Sequence, residues 1–92
     1  MIAYWRPRAE RDLDALIRYI AQHNVRAAIE LDLHVEKIVA LLEENPHLGH
    51  RRNGGEILEF LVSSNIRLLY RIRPRLDSLE IVRLIHTRRN YP

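Results

Sequence analysis

The chain has 92 residues, enough for one domain with a modest core, and its 47% apolar and 29% charged residues are the balance of a globular rather than a disordered protein. It has no cysteine, which excludes a disulfide framework and thiolate metal ligation, and no apolar run approaches bilayer length. The formal charge of +3 is unevenly spread: residues 1 to 50 carry six Arg or Lys against eight acids, and residues 51 to 92 carry nine Arg against four. Fourteen of the fifteen cations are arginine, whose planar fork suits bidentate pairing with phosphate or carboxylate. The second half therefore fits an acidic partner, either nucleic acid or an acidic protein segment, with a solvated basic face as the alternative.

"MIAYWRPRAERD" meets charge within six residues and has no apolar h-region, so no signal peptide is read, and a soluble cytoplasmic protein without a membrane role is expected. "IAYW" is β-prone, and Pro7 suits the first turn of a helix. Leu13, Leu16, Ile17, Ile20 and Ala21 recur at threes and fours and predict an amphipathic helix over about residues 8 to 22. Asn24 is placed to cap a second helix, in which Ala28, Leu31, Val35, Ile38 and Leu42 alternate in steps of three and four. That stripe fits an antiparallel helical hairpin better than a coiled-coil dimer, because only two heptads are present.

Pro46, Gly49, Gly54 and Gly55 mark "ENPHLGHRRNGG" as turn. Three strands are predicted after it, at residues 56 to 62, 66 to 73 and 78 to 86, joined by the short polar links "SSN" and "PRLD" into an antiparallel meander. The expectation is a single α+β domain over residues 1 to 92. Its order is βααβββ, a two-layer sandwich with the helical hairpin on one face of a mainly antiparallel sheet.

Strand alternation places Ile66, Leu68, Tyr70 and Ile72 under the helices and Arg67, Leu69, Arg71 and Arg73 on the opposite face. In the last strand Arg83 shares parity with Leu79, Ile81 and Ile85. Keeping its charge out of the core puts this set on the open face beside Arg67 and Arg71. A surface mixing arginines with aliphatic side chains is expected to be covered by a partner. Its candidate residues are Arg67, Leu69, Arg71, Arg83 and Ile85, continued by Arg88, Arg89 and Tyr91 in the ending "IHTRRNYP".

Imidazole, guanidinium and phenol together could also move protons and hold a phosphate. His86, however, lies three residues after Arg83 and points to the other face of a regular strand, so the two converge only if the strand twists, bulges or ends there. His47 and His50, near Glu43 and Glu44, have no third ligand at metal spacing, so no metal site is assigned. No glycine-rich phosphate loop, nucleophile elbow or paired-carboxylate motif occurs, and no cofactor is implied. "RRNGG" is basic but has no interleaved aromatics to stack on bases.

Taken together, "PRAERDLDALIRYI", "HNVRAAIEL", "NPHLG", "LEFLV", "IRLLYRI" and "EIVRLIHTRRNYP" resemble, in order and spacing, the RelE/ParE superfamily of toxins from bacterial type II toxin–antitoxin modules, and the ParE branch more than the RelE branch. The resemblance implies the same βααβββ order. It also implies a cognate antitoxin whose acidic, partly disordered segment folds over the toxin, giving a hetero-oligomer. ParE-like members poison DNA gyrase by binding, and RelE-like members cleave mRNA on the ribosome. Carried over, Arg67 falls where nuclease members have an arginine, and His86 and Tyr91 fall near their acid/base group. The lysines of the RelE branch are missing, since the only lysine is Lys37. Glu59 stands where many ParE-like chains place an arginine. The missing lysines, together with the opposite parity of Arg83 and His86, favour a non-enzymatic gyrase toxin over a ribonuclease, with a binding module kept for antitoxin control as a third reading.

Overall fold

A computed structural model of the chain describes residues 1–88. The first strand, β1 (Ile2–Trp5), leads directly into helix α1 (Pro7–Ala21), whose proline occupies the first turn, where its missing N–H costs nothing. Helix α2 (Val25–Glu44) starts on Asn24, whose side-chain oxygen accepts the Ala27 N–H at 3.0 Å. Its far end is closed by Asn45, whose side-chain amide donates to the Leu41 carbonyl at 3.2 Å. The remaining strands are β2 (His50–Arg51), β3 (Leu58–Ser63), β4 (Ile66–Arg73) and β5 (Ser78–His86), with a 3-10 turn (Pro74–Leu76) between the last two.

The five strands form one sheet in the order β1-β5-β4-β3-β2. The chain leaves β1, crosses through both helices and three strands, and returns so that β5 lies parallel to β1, with Ile2 opposite Ser78 and Trp5 opposite Ile81. All other pairs are antiparallel. The expected α+β sandwich is therefore the observed one, with one addition. Residues 50 and 51, expected as turn, pair with Glu59 and Leu58 as a two-residue edge strand. No side-chain alternation marks this strand, because its pairing is made through the backbone around a turn at Asn53 and Gly54, both with positive φ.

The helices cover one face of the sheet. Ala9 and Leu16 from α1 and Val35, Ile38 and Leu42 from α2 pack on Leu58, Val62, Ile66, Leu68, Tyr70, Leu79, Ile81 and Leu84. Leu79 and Ile81 thus belong to the core and not, as the parity of a regular strand suggested, to the open face. The cause is a bulge. Tyr70 pairs with Ile81 but Leu69 with Arg83, so Val82 has no partner on β4 and the alternation of β5 slips by one residue. Beyond the slip Leu84 faces the helices, and Arg83 and Ile85 fall in register with Leu69 and Arg67 on the other face.

Tyr70 is fully buried and anchors the loop after α2. Its hydroxyl donates to the Pro46 carbonyl at 2.6 Å and accepts the Gly49 N–H at 2.9 Å. A Cβ at Gly49 would come within 2.8 Å of that hydroxyl and 3.0 Å of the Glu59 carbonyl, so the close approach requires glycine. None of the described helices is long and apolar enough to cross a membrane.

Candidate functional site

The face of the sheet turned away from the helices is built in cross-strand rows. Leu61, Arg67 and Ile85 form one row, Glu59, Leu69 and Arg83 the next, and Arg71, Glu80 and Tyr4 a third. Each row combines β4 with its neighbours, so the arginines of "IRLLYRIR" lie between residues that the sequence separates by up to 67 positions in the case of Tyr4 and Arg71. Ile2, Tyr4 and Leu61 are 60%, 59% and 56% exposed, which leaves apolar surface on a face that also carries arginines.

The arginines of the face are already paired within the fold. Arg67 donates to Glu59 at 2.9 Å, and Arg52 approaches the other oxygen of the same carboxylate at 3.4 Å. Arg71 binds Glu80, which also meets Arg6 at 3.3 Å, and reaches Glu56 at 3.7 Å. Burial alone would raise the Glu80 carboxyl, but the hydrogen bond and charge of Arg71, with Arg6 and Arg73 adding, hold it below the ordinary glutamate value. Leu69, expected on the exposed partner surface, lies between Glu59 and Arg83 in its row but is only 6% exposed.

Arg83 departs furthest from expectation. Its backbone is in register with the open face, yet its guanidinium turns to α1 and holds Asp12 through two contacts, Nε to Oδ2 at 2.7 Å and Nη2 to Oδ1 at 3.3 Å. Asp12, 5% exposed, also accepts the Leu84 N–H at 3.0 Å and is approached by Arg8 at 3.4 Å. β1 stops pairing at Ile81, so past that point the edge of β5 has no strand beside it, and the Asp12 carboxylate takes over one of its amide groups. The sequence contained a signal for Asp12. It falls on the same helical stripe as Ala9 and Leu16, where a carboxylate is buried only with partners.

The catalytic candidates do not assemble. Arg67 pairs across with Ile85 on the open face, whereas His86 pairs with Ile66 and so lies on the helix side. Arg88 is exposed, and Arg89 and Tyr91 lie outside the described residues. His47 and His50 are exposed, and no group of three or more potential metal ligands occurs among the described residues.

The architecture has close counterparts among solved structures. A chain of the chromosomal ParDE toxin–antitoxin system from P. aeruginosa superposes with a TM-score of 0.79 at 17% identity, over 94% of this chain and 95% of that one. The RelBE2 toxin–antitoxin complex from Mycobacterium tuberculosis gives 0.60 at 25% identity, covering 92% and 95%. The intact E. coli RelBE toxin–antitoxin complex gives 0.66 at 14% identity, covering 96% and 98%. No curated protein matches the chain significantly. The fold is therefore that of the RelE/ParE toxins. The profile of the ParE toxin of the type II toxin–antitoxin system parDE matches residues 3–91, and the chain belongs to that family.

Proposed function

We propose that this chain is a toxin that inhibits DNA gyrase by binding it, and that a cognate antitoxin neutralises it by covering the open sheet face in a cytoplasmic complex. The observation that carries the reading is the match to the ParE profile across residues 3–91. The geometry adds support. A ribonuclease of this fold would need its acid/base group and its arginine to converge on one phosphate, and Arg67 and His86 occupy opposite faces. A binding toxin needs no such convergence. It needs an exposed surface with apolar anchors and charge, as Leu61, Tyr4, Arg67 and Arg71 provide.

Induction of the chain in a bacterial host tests this directly. Gyrase poisoning gives a DNA damage response and filamentous cells while translation continues. Immediate arrest of protein synthesis with cleaved mRNA would replace the reading with that of a ribosome-dependent nuclease. Growth unaffected by a folded, expressed chain would leave only a module that binds its antitoxin.

A further inference from the structure

At the end of β4 away from Arg67, the turn between β4 and β5 and Glu56 from the loop before β3 enclose a cavity of about 520 Å³. Its cations are Arg71 and Arg73 from the strand and Arg75 from the 3-10 turn, and Glu56 is the one acid in its lining. Arg71 is committed to Glu80 and lies 3.7 Å from Glu56. The side chains of Arg73 and Arg75 make no hydrogen bond or ion pair among the described residues, in contrast to Arg6, Arg67 and Arg83. Ile72, Pro74 and Leu76 supply an apolar wall, and Leu76 is 69% exposed. The turn holds these groups on a fixed backbone. Pro74 sets one φ, the Asp77 N–H donates to the Pro74 carbonyl at 3.1 Å, and the Ile2 N–H donates to the Asp77 carbonyl at 3.3 Å.

We infer that this cavity binds a free nucleotide, with the phosphate monoester on Arg73 and Arg75 and the sugar or base against Pro74 and Leu76. Charge selects the ligand. Two neighbouring cations without internal partners match a group that carries about two negative charges at neutral pH, as a phosphate monoester does and a single carboxylate or phosphodiester does not. The guanidinium fork also presents paired donors that fit phosphate oxygens. The volume falls in the range of small-molecule sites, about 300–1,000 Å³, and the apolar wall suits an organic body. Inorganic phosphate alone leaves Pro74 and Leu76 in water. Arg73 lies six residues along β4 from Arg67, about 20 Å in an extended strand, so the cavity is separate from the row that joins Arg67 to Ile85. The inference stands apart from the choice of gyrase or ribosome as target.

Calorimetric titration of the full chain with AMP, adenosine and inorganic phosphate tests this. Thermal unfolding gives an independent reading, because a ligand bound only by the folded chain raises Tm. AMP is expected to bind saturably, about tenfold or more tightly than either adenosine or phosphate, with the advantage over adenosine shrinking as salt is added. Arg73→Ala and Arg75→Ala, both at exposed positions, should each weaken AMP about tenfold. Glu56→Gln should tighten it, and Leu76→Ser should weaken AMP but not phosphate. Arg26→Ala removes the same charge from exposed surface on α2 and should change nothing. The comparison of AMP with adenosine on the wild-type chain decides the matter should an arginine variant not fold. AMP bound no more tightly than adenosine or phosphate, or an equal loss in Arg26→Ala, overturns the inference. So does equal competition by an oligonucleotide without terminal phosphates, which would assign the two arginines to a nucleic-acid backbone.

Discussion

Two polar side chains, one fully buried and one partly so, fix how the loops and the sheet edge sit on the core. Burial raises the Tyr70 phenol above its ordinary value of 10.0, and the Gly49 N–H bond offsets this only in part. The unfolded chain therefore loses this proton first as pH rises. Stability linked to Tyr70 is complete below about 10 and declines above it until the folded phenol ionises as well. Urea melts at pH 8 and at pH 11 should show that decline in the wild type and a shallower one in Tyr70→Phe. At pH 8 the same variant should be less stable by about 1–3 kcal/mol, because the Pro46 carbonyl and Gly49 N–H lose their partner. The second residue is Arg83. Arg83→Ala leaves the Asp12 carboxylate buried with only the Leu84 amide and a distant Arg8, and should cost about 2–4 kcal/mol of folding stability. A lowered urea midpoint with unchanged slope is the expected record, and wild-type stability in this variant would mean that the pair has no structural role.

At the scale of the strands, the open face carries its own acidic counterparts. Exposed ion pairs such as Arg67–Glu59 contribute little to stability, so a partner carboxylate can replace Glu59 at small cost, but it has to compete for the guanidinium. Two substitutions should accordingly move antitoxin affinity in opposite directions. Arg67→Ala is expected to weaken binding by about 0.5–1.5 kcal/mol, and Glu59→Gln to strengthen it or leave it level by releasing Arg67. Calorimetric titration with the cognate antitoxin separates the two. Weaker binding in both variants would mean that the pair itself, as a preformed unit, is what the partner reads, and no change in either would move the interface off this face.

At the scale of the whole molecule the charge is uneven along the chain, with nine of its fifteen cations after residue 50. The basic half bears on activity through the ending "RRNYP". If this ending docks on the target, deleting residues 88 to 92 removes two guanidiniums and an aromatic ring together and should abolish toxicity, whereas Tyr91→Phe keeps the ring and should remain toxic. Antitoxin binding should survive the deletion, since its expected contacts lie on the sheet. Growth after induction and antitoxin pull-down by the truncated chain are the two measurements. Loss of toxicity in Tyr91→Phe by about 100-fold or more, with the fold intact, would instead assign proton transfer to the phenol.

The local periodicities by themselves determined most of the fold. Both helices, the Asn24 cap, the two long hairpin strands and the side of β4 that faces the core follow from spacings of three to four or two along a few consecutive residues, which a sequence displays directly. Whether charges are free or matched could not be read in that way. Arg67 meets Glu59 across a hairpin, Arg71 meets Glu80 across the next, and Arg83 meets Asp12 at a separation of 71 residues. Only strand register and helix placement bring these groups within 4 Å of each other. The bulge at Val82 belongs with them. A single unpaired residue leaves no mark in composition, yet it slips the alternation of β5, so that Leu79 and Ile81 stay in the core with Leu84 while Arg83 lies where it can turn from the open face to a carboxylate on α1. Periodicity is a property of neighbours in sequence, and charge pairing is a property of neighbours in space. The sequence therefore determined the layers, and the tertiary structure decided which of their charges remain for a partner.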